Sequence, residues 1–252
     1  MKVAVVCATR NMAATLGRAM DSVCHQAPDV FVVMDDASED DTPAVVEHWA
    51  SRFRFVEYVR HSEKTPCHVT ALRPVYDSLR VDHVIGLGAD DILLPGLVKA
   101  VREHAMHAVV FTDYTCSNGP QSWRVSHGYA EQATLTPHAV RQRLQTQVAT
   151  ETGIGSSVRS DVMAWLWATG WHTLGPHADS IGYATAAAVF GAVYLPISGA
   201  HIHFNANGYG QLTAAADPNG WAAKARAFMS RAGLDATTAE ALVTKRCYGF
   251  RL

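Results

Sequence analysis

Short apolar segments alternate with amphipathic ones along the first part of the chain. The apolar runs predict five buried strands, at residues 3–7, 30–34, 53–58, 84–87 and 109–112. The segments between them have helical periodicity, and the second helix is predicted to start with Thr42 as its N-cap and Pro43 as its first residue. Strands that alternate with helices predict an α/β fold whose central sheet is mostly parallel and flanked by helices.

The pattern changes after about residue 115. Residues 115–135 are polar and turn-rich, whereas residues 181–200 predict a buried helix followed by a strand rather than a membrane span. Neither a repeat nor a low-complexity linker interrupts the chain. We therefore expect a single domain over residues 1–252, with a nucleotide-binding half at 1–114 and a half at 115–252 that shapes a second pocket.

The composition is that of an ordinary globular protein. Of the 252 residues, 48% are hydrophobic and 17% are charged, and the net charge of −2 draws the chain neither to nucleic acid nor to anionic lipid. The five cysteines form no C-x-x-C pair, which predicts reduced thiols rather than a disulfide framework or a zinc site. Because no signal peptide precedes the first strand, we expect a cytoplasmic protein.

The most informative residues are the adjacent Asp90 and Asp91, which follow the predicted strand at 84–87. Two carboxylates at the end of a buried strand repel each other unless a cation neutralises them. Mg²⁺ or Mn²⁺ bound to a diphosphate would do so, because these ions take carboxylate and phosphate oxygens. The alternative is that the pair caps a helix that begins at residues 92–95.

A second acidic pair, Asp35 and Asp36, follows the strand at 30–34. An ionised aspartate only accepts hydrogen bonds, so Asp36 suits the imide N–H of a uracil or the hydroxyls of a ribose. A solvated turn with a helix cap explains the later acidic residues, 39–41. Ligands of open α/β sheets bind beyond the carboxyl ends of the strands, where Thr9, Asp36 and Asp91 all fall. The turn after the first strand lacks both glycine-rich phosphate-binding motifs, which argues against a dinucleotide or P-loop site.

Four segments in order give the chain a specific resemblance. They are A-T-R-N at 8–11, S-V-C-H-Q at 22–26, M-D-D-A-S-E-D-D-T at 34–42 and G-A-D-D at 88–91. They resemble the P-T-x-N, S-V-x-x-Q, V-D-D-x-S-x-D-x-T and D-A-D-D patterns of family 2 glycosyltransferases of the GT-A fold, over about the first 110 residues. The second half is similar more loosely, through T-G-W at 169–171, H-A-D at 177–179 and H-I-H at 201–203.

This resemblance implies a metal-dependent, inverting transfer of a sugar from a nucleotide-diphosphate donor, UDP- or dTDP-linked, to an acceptor hydroxyl. Residues 1–114 would then bind the nucleotide-sugar, and residues 115–252 would bind the acceptor and carry the catalytic base. Asp91 and His203 are implied to ligate Mn²⁺ or Mg²⁺, which would stabilise charge on the departing phosphate. Asp179 matches the general base, which takes the proton of the acceptor. The residues implied to bind the nucleotide are Ala8, Thr9, Asp36, His68 and Asp90.

Three positions depart from the family patterns. Gly88 replaces the first aspartate of D-A-D-D, Ala8 replaces the proline of P-T-x-N, and Ala178 replaces a glutamate before the base. These departures keep open a nucleotide-sugar or glycan-binding module without turnover. A sugar-phosphate nucleotidyltransferase, which has a related α/β architecture, is a further alternative, but of the glycine-rich, basic loop that it needs after the first strand the chain has only Arg10. The acceptor is open as well, and would be a glycan, a lipid-linked sugar, a protein or a hydroxylated base in DNA.

Histidines and tryptophans of the second half leave further alternatives. His201 and His203 would share one face of a strand, either as metal ligands or as a polar surface. The cluster of Trp165, Trp167 and Trp171 belongs to the core or stacks on a sugar or base. Residues 118–128 would form a lid over the donor, and residues 153–157 an adaptable loop on the acceptor side.

Overall fold

The structure is a computed structural model that describes residues 1–65, 68–146, 155–203 and 220–248. These residues form one ten-stranded sheet with helices packed against it. The strands are β1 (Val3–Thr9), β2 (Val30–Asp35), β3 (Val56–Arg60), β4 (His83–Gly88), β5 (Ile92–Leu93), β6 (Val109–Ser117), β7 (Ser122–Val125), β8 (Ala133–Leu135), β9 (Ser157–Arg159) and β10 (Ala192–His203).

The helices alternate with the strands in the first half and predominate in the second. They are α1 (Ala13–Cys24), α2 (Thr42–Ala50), α3 (His68–Ala71), α4 (Arg73–Ser78), α5 (Leu97–Glu103), α6 (Pro137–Thr146), α7 (Ser160–Thr169), α8 (Ala178–Phe190), α9 (Gly220–Arg231) and α10 (Ala236–Tyr248). A 3₁₀ helix, Trp171–His177, joins α7 to α8.

The sheet is mostly parallel. Its strand order is β3-β2-β1-β4-β9-β6-β10-β5, with β7 paired to β6 and β8 paired to β10. Strands β1 to β4 are parallel to one another and β6 is parallel to β10, whereas β9 runs antiparallel between β4 and β6. The predicted α/β fold with a mostly parallel sheet flanked by helices is confirmed.

Both faces of the first strands are buried, which is why those strands are continuous apolar runs in the sequence. One face, with Val5 and Ile85, packs against residues of α1, α2 and α5, namely Leu16, Val46 and Leu97. The opposite face, with Val6 and Val84, packs against Val75 of α4. The helices of the second half contribute to a separate and larger cluster that includes Trp167, Trp171, Ile181 and Phe228.

The helix-cap interpretation of Asp90 and Asp91 is wrong. Ile92 and Leu93, which follow the pair, form β5 and pair antiparallel with β10, and α5 begins only at Leu97. A similar but smaller difference is found at α2, whose N-cap is Asp41 and whose first residue is Thr42. The acidic pair therefore lies in a tight connection between two strands of the same sheet.

The predicted helix and strand at residues 181–200 are confirmed by α8 and β10. The segment at 115–135 is more regular than expected, because β6 extends to Ser117 and pairs with β7 in a hairpin. Residues 153–154 of the expected acceptor-side loop lie outside the described residues. Within the described ranges, no helix is both long and apolar enough to cross a membrane. The division into two halves stays a prediction.

Candidate active site

The carboxyl ends of β1, β2 and β4 bring the expected nucleotide-binding residues to one edge of the sheet. Ala8 of β1 lies opposite Gly88 of β4 in the strand register, and the Asp36 N–H donates to the Thr9 carbonyl at 2.9 Å. Neighbouring strands lie about 4.8 Å apart, so the ends of β2 and β4 are separated by about 10 Å. The sheet edge therefore presents acidic groups on either side of the end of β1.

Asp91 is buried in the connection between β4 and β5. Its N–H donates to the Gly88 carbonyl at 3.1 Å, which closes a tight turn, and only 4% of the residue is exposed. The chain then enters β5, whose pairing with β10 places His201 opposite Ile92. This pairing carries β10 past the turn, where the His203 N–H donates to Asp91 Oδ1 at 3.0 Å.

The surroundings of Asp91 disfavour its negative charge. Burial, with smaller contributions from the charges of Asp90 and Asp179, raises the pKa of Asp91 to about 7, and the His203 N–H opposes this rise. A buried carboxylate surrounded by other carboxylates is costly unless a cation or a proton neutralises it. The electrostatics therefore favour a cation at this position.

Asp179 lies in the first turn of α8 and completes the acidic group. Its Oδ1 accepts the Ser180 N–H at 2.6 Å, and the positive end of the helix dipole favours a carboxylate there. Burial raises the pKa values of Tyr76 and Tyr183, and the charge of Asp179 raises both further. Asp179 thus lies within electrostatic range of Asp91 and of two phenols.

A tryptophan fixes the start of α8. Trp171 Nε1 donates to the carbonyl of Ala178, the residue before Asp179. The indole reaches this position because Gly182, one turn along α8, has no side chain; a Cβ there would lie 2.2 Å from Trp171 Nε1. Trp171 therefore helps to position Asp179 by holding the residue before it. Trp167 and Trp171 are buried and belong to the core.

The donor set at the sheet edge fits a metal ion that shares its shell with a substrate. His203 Nδ1 is buried and has no hydrogen-bond partner among the described residues, whereas His201 Nε2 contacts Ser117 Oγ at 2.8 Å. His203 is therefore the better candidate ligand. The described residues hold no group of three or more His, Cys, Asp or Glu side chains that would bind a metal alone. Mg²⁺ and Mn²⁺ in nucleotide sites take few protein ligands and complete their shell with phosphate oxygens and water.

The two aspartates after β2 have different surroundings. Asp35 is fully buried, and its carboxylate accepts hydrogen bonds from Ser38 N, at 2.9 Å, and from the Tyr58 hydroxyl, at 2.8 Å. Asp36 is also buried, but its carboxylate accepts only from Thr65, through N–H at 2.8 Å and the hydroxyl at 3.1 Å, among the hydrogen bonds described. Asp35 is a structural residue, and Asp36 retains acceptor capacity.

An open cavity of about 610 Å³ adjoins these loops, and its volume is that of a typical small-molecule site. Its lining includes Arg10, Ala37, Ser38, Arg60, His61 and Lys64. Near it, the Thr9 hydroxyl is buried without a hydrogen-bond partner among the described residues. The side chain of His68 lies outside the described residues, so its expected role in nucleotide binding stays a prediction.

Several residues of the family motifs connect two loops by hydrogen bonds, a structural role that the sequence analysis did not assign to them. Ser38 Oγ accepts the Asn11 N–H at 2.9 Å, and Asn11 Oδ1 accepts the Glu39 N–H at 2.8 Å. Asp40 accepts the N–H of Ala13, at the start of α1, at 3.1 Å. These bonds lock the loop after β1 to the loop after β2.

The S-V-x-x-Q segment at the C-terminal end of α1 has a comparable role. The Ser22 hydroxyl accepts the Leu93 N–H of β5 at 3.1 Å, and Gln26 Oε1 accepts the Val98 N–H in the first turn of α5 at 3.2 Å. The two side chains hold the elements that directly follow Asp90 and Asp91. Ser22 lies in the last turn of α1, and Gln26 lies in the turn just beyond its C-cap, His25. The S-V-x-x-Q pattern is the sequence signal for this role.

A further buried carboxylate, that of Asp113 in β6, was not predicted from the sequence. It accepts hydrogen bonds from Arg124 at 2.5 Å, from the Tyr194 hydroxyl at 2.7 Å and from the His127 N–H at 3.0 Å. Burial alone would raise the pKa of Asp113, but these donors and the Arg124 charge hold it below its usual value. Asp113 anchors the β6–β7 hairpin to β10.

Comparison with known proteins decides the family. A model of glycosyl transferase family 2 matches residues 4–165, more than half of the chain. The chain belongs to glycosyl transferase family 2. This membership favours the glycosyltransferase interpretation over the nucleotidyltransferase, and makes the protein an enzyme of the glycosyltransferase class. No curated protein sequence is significantly similar to the chain.

Solved structures show the same GT-A fold. The match to S. aureus TarS 1–349 in complex with UDP-GlcNAc covers 99% of this family 2 chain and 73% of the TarS chain, with a TM-score of 0.72 and 17% identity. GalNAc-T7 with UDP, GalNAc and Mn²⁺ matches 82% of this chain, with a TM-score of 0.59 and 17% identity. This chain spans 44% of the GalNAc-T7 chain and 43% of a longer TarS structure. At these identities the likeness concerns the fold.

Proposed function

We propose that this glycosyltransferase moves a sugar from a nucleoside-diphosphate donor, UDP- or dTDP-linked, to an acceptor hydroxyl in a metal-dependent reaction that inverts the anomeric centre. The observation that carries the proposal is the buried Asp91 carboxylate, which accepts the His203 N–H and lies within electrostatic range of Asp90 and Asp179. UDP-GlcNAc in TarS, and UDP with Mn²⁺ in GalNAc-T7, support a donor and a cation of these classes.

The nucleotide would bind across the ends of β1, β2 and β4. Asp36 accepts a hydrogen bond from the base, and the small Ala8 with the unpartnered Thr9 hydroxyl borders the same space. Asp90 lies toward the ribose or the metal. Because Thr65 already orients the Asp36 carboxylate, the base meets a fixed acceptor.

Asp91 and His203 would hold Mn²⁺ or Mg²⁺. When bound, the ion neutralises charge that develops on the departing diphosphate. The buried Asp91 carboxylate supplies oxygen ligands, and the His203 Nδ1 supplies a nitrogen that lacks another partner among the described residues. Burial excludes water from this side of the site, which strengthens the attraction between the carboxylate and a cation.

Asp179 would act as the general base. Its carboxylate takes the proton of the acceptor hydroxyl as the acceptor oxygen forms a bond to the anomeric carbon and the bond from that carbon to the diphosphate oxygen breaks. The products are the glycosylated acceptor, the nucleoside diphosphate and the protonated Asp179. A single displacement inverts the anomeric centre and needs one carboxylate base and one metal ion, whereas glycoside hydrolases use paired carboxylates.

The test is hydrolysis and transfer with a panel of UDP- and dTDP-sugars in the presence of Mn²⁺ or EDTA. Asp179→Asn should lower kcat by about 10²–10⁴-fold and leave UDP binding unchanged, because only proton transfer is lost. Asp161→Asn is the matched control, since Asp161 also lies in the first turn of a helix but pairs with Arg159 on the surface. Full activity in Asp179→Asn would refute the base assignment, and full activity in EDTA would refute the metal.

A further inference from the structure

Gly88 stands where the family pattern has an aspartate, and the two following aspartates fold back over it. A Cβ built on Gly88 would lie 2.5 Å from Asp91 Oδ2 and 3.2 Å from Asp90 Oδ1. The first distance is shorter than any ordinary contact, so the Asp91 carboxylate occupies the volume of a side chain at residue 88. Gly88 does not have a positive φ, so the position requires space and not an unusual backbone conformation.

Two hydrogen bonds keep the Asp91 carboxylate in that volume. The Asp91 N–H closes the turn on the Gly88 carbonyl at 3.1 Å, which directs the side chain back along β4. The His203 N–H donates to Asp91 Oδ1 at 3.0 Å, while Asp91 Oδ2 lies 2.5 Å from the place that a Cβ of residue 88 would take. One oxygen is thus fixed by β10, and the other has its position only because residue 88 has no side chain.

Gly86 shows that the requirement is local. It precedes Gly88 by two residues on the same face of β4, and a Cβ there would lie 3.8 Å from the Tyr183 hydroxyl, an ordinary contact. An alanine fits at residue 86 and not at residue 88 unless Asp91 moves. A carboxylate is the far end of a rotatable side chain, so it can turn away while the fold is kept.

We propose that Gly88 is a positioning residue that sets the orientation of the Asp91 carboxylate toward a divalent cation. This inference rests on the proposed function. It implies that the missing aspartate of the D-A-D-D pattern is not a defect of this chain, because its place is taken by the second oxygen of Asp91. Restoring an aspartate at residue 88 would then weaken cation binding instead of improving it.

The experiment measures Mn²⁺ binding by the decrease of the EPR signal of the free ion, with and without UDP, in wild type, Gly88→Ala, Gly86→Ala and Gly88→Asp. We expect Gly88→Ala and Gly88→Asp to bind Mn²⁺ at least about tenfold more weakly, as is typical when groups that orient a metal ligand are disturbed. Gly86→Ala should stay within about twofold of wild type. Thermal unfolding in EDTA should show that all four proteins are folded.

The outcomes separate the inference from the function on which it rests. Wild-type Mn²⁺ affinity in Gly88→Ala, tighter binding in Gly88→Asp, or an equal loss in Gly86→Ala would overturn the role of Gly88 while leaving the metal site. Failure of wild type to bind Mn²⁺, even with UDP, would overturn the metal site itself and the inference with it.

Discussion

Asp91, in the turn after β4, and Asp113, in the middle of β6, are both buried carboxylates of the same sheet, with 4% and 1% of the residue exposed. Asp113 receives hydrogen bonds from Arg124, Tyr194 and the His127 N–H, and its pKa lies below the usual value. Asp91 receives one backbone hydrogen bond and faces two further carboxylates, and burial with those charges raises its pKa to about 7. Similar burial therefore has opposite electrostatic consequences.

The difference distinguishes a structural carboxylate from a candidate ligand. The partners of Asp113 neutralise its charge within the protein, so the residue stabilises the β6–β7 hairpin without a ligand. The charge of Asp91 has no cationic partner among the described residues, so its stable ionised state depends on something that binds. An unneutralised buried charge is typical of a functional site, where groups are held in a costly environment.

The largest effect expected from this comparison is on catalysis. Asp91→Asn should lower sugar transfer by about 10³-fold, because it removes the anionic ligand of the proposed cation. The measurement is initial-rate kinetics with Mn²⁺ and a UDP-sugar that wild type uses. Asp90→Asn, measured in parallel, distinguishes the effect of Asp91 from that of the neighbouring carboxylate. A normal kcat in Asp91→Asn would contradict the role of Asp91 as a metal ligand.

The stability of the metal-free protein should depend on pH through Asp91. The folded pKa of about 7 lies above the unfolded value of 3.8, so the native state binds the additional proton and stability falls as pH rises between these values. The charges that face Asp91 are Asp90 and Asp179, with the His203 N–H opposing them. In EDTA at pH 8, Asp91→Asn should therefore be more stable than wild type by up to about 4 kcal/mol.

Urea unfolding of both proteins at pH 4.5 and pH 8 gives this difference. His83 contributes an opposite slope, because burial lowers its pKa in the folded state to about 4. Between pH 6.5 and 4 the unfolded state binds a proton that the folded state does not, so stability falls as pH falls. That contribution is the same in wild type and Asp91→Asn and cancels in the comparison. Stability curves that stay parallel over the whole pH range would contradict the prediction.

The equivalent substitution of the second carboxylate should have the opposite sign. Asp113→Asn should destabilise the protein at pH 8 by about 3 kcal/mol, since it weakens three hydrogen bonds and leaves Arg124 without its counter-charge. Urea unfolding measures the change. Its Mn²⁺ affinity should equal that of wild type, and a loss of metal binding with unchanged stability would reverse the assignment of the two residues.

The smallest expected effect distinguishes the two histidines of β10. Their ring centroids lie 4.8 Å apart, and among the described residues His201 has a side-chain hydrogen-bond partner, Ser117, whereas His203 Nδ1 has none. His203→Ala should weaken Mn²⁺ binding by about tenfold, and His201→Ala by no more than about twofold. Mn²⁺ titration followed by EPR measures both, and the reverse order would make His201 the ligand.

The sequence predicts the fold and the first acidic residues because both depend on local patterns. Apolar runs give the buried strands, and Asp36 and Asp91 directly follow such runs. The partners of Asp113 are 11, 14 and 81 residues away, and the contact between Asp91 and His203 spans 112 residues. The two nearer contacts of Asp113 come from the β6–β7 hairpin, and the contacts with Tyr194 and His203 arise from the pairing of β6 and β5 with β10. The single sequence contains no local signal for that pairing.

The hydrogen bond from His203 to Asp91 has a consequence for how the protein is made. During synthesis, Asp91 leaves the ribosome 112 residues ahead of the residue that supplies its hydrogen bond. Until β10 is inserted between β6 and β5, the acidic turn stays open to water and its carboxylates remain hydrated. The surroundings of Asp91 are therefore completed late, when β10, the longest strand of the sheet, pairs with strands that were translated well before it.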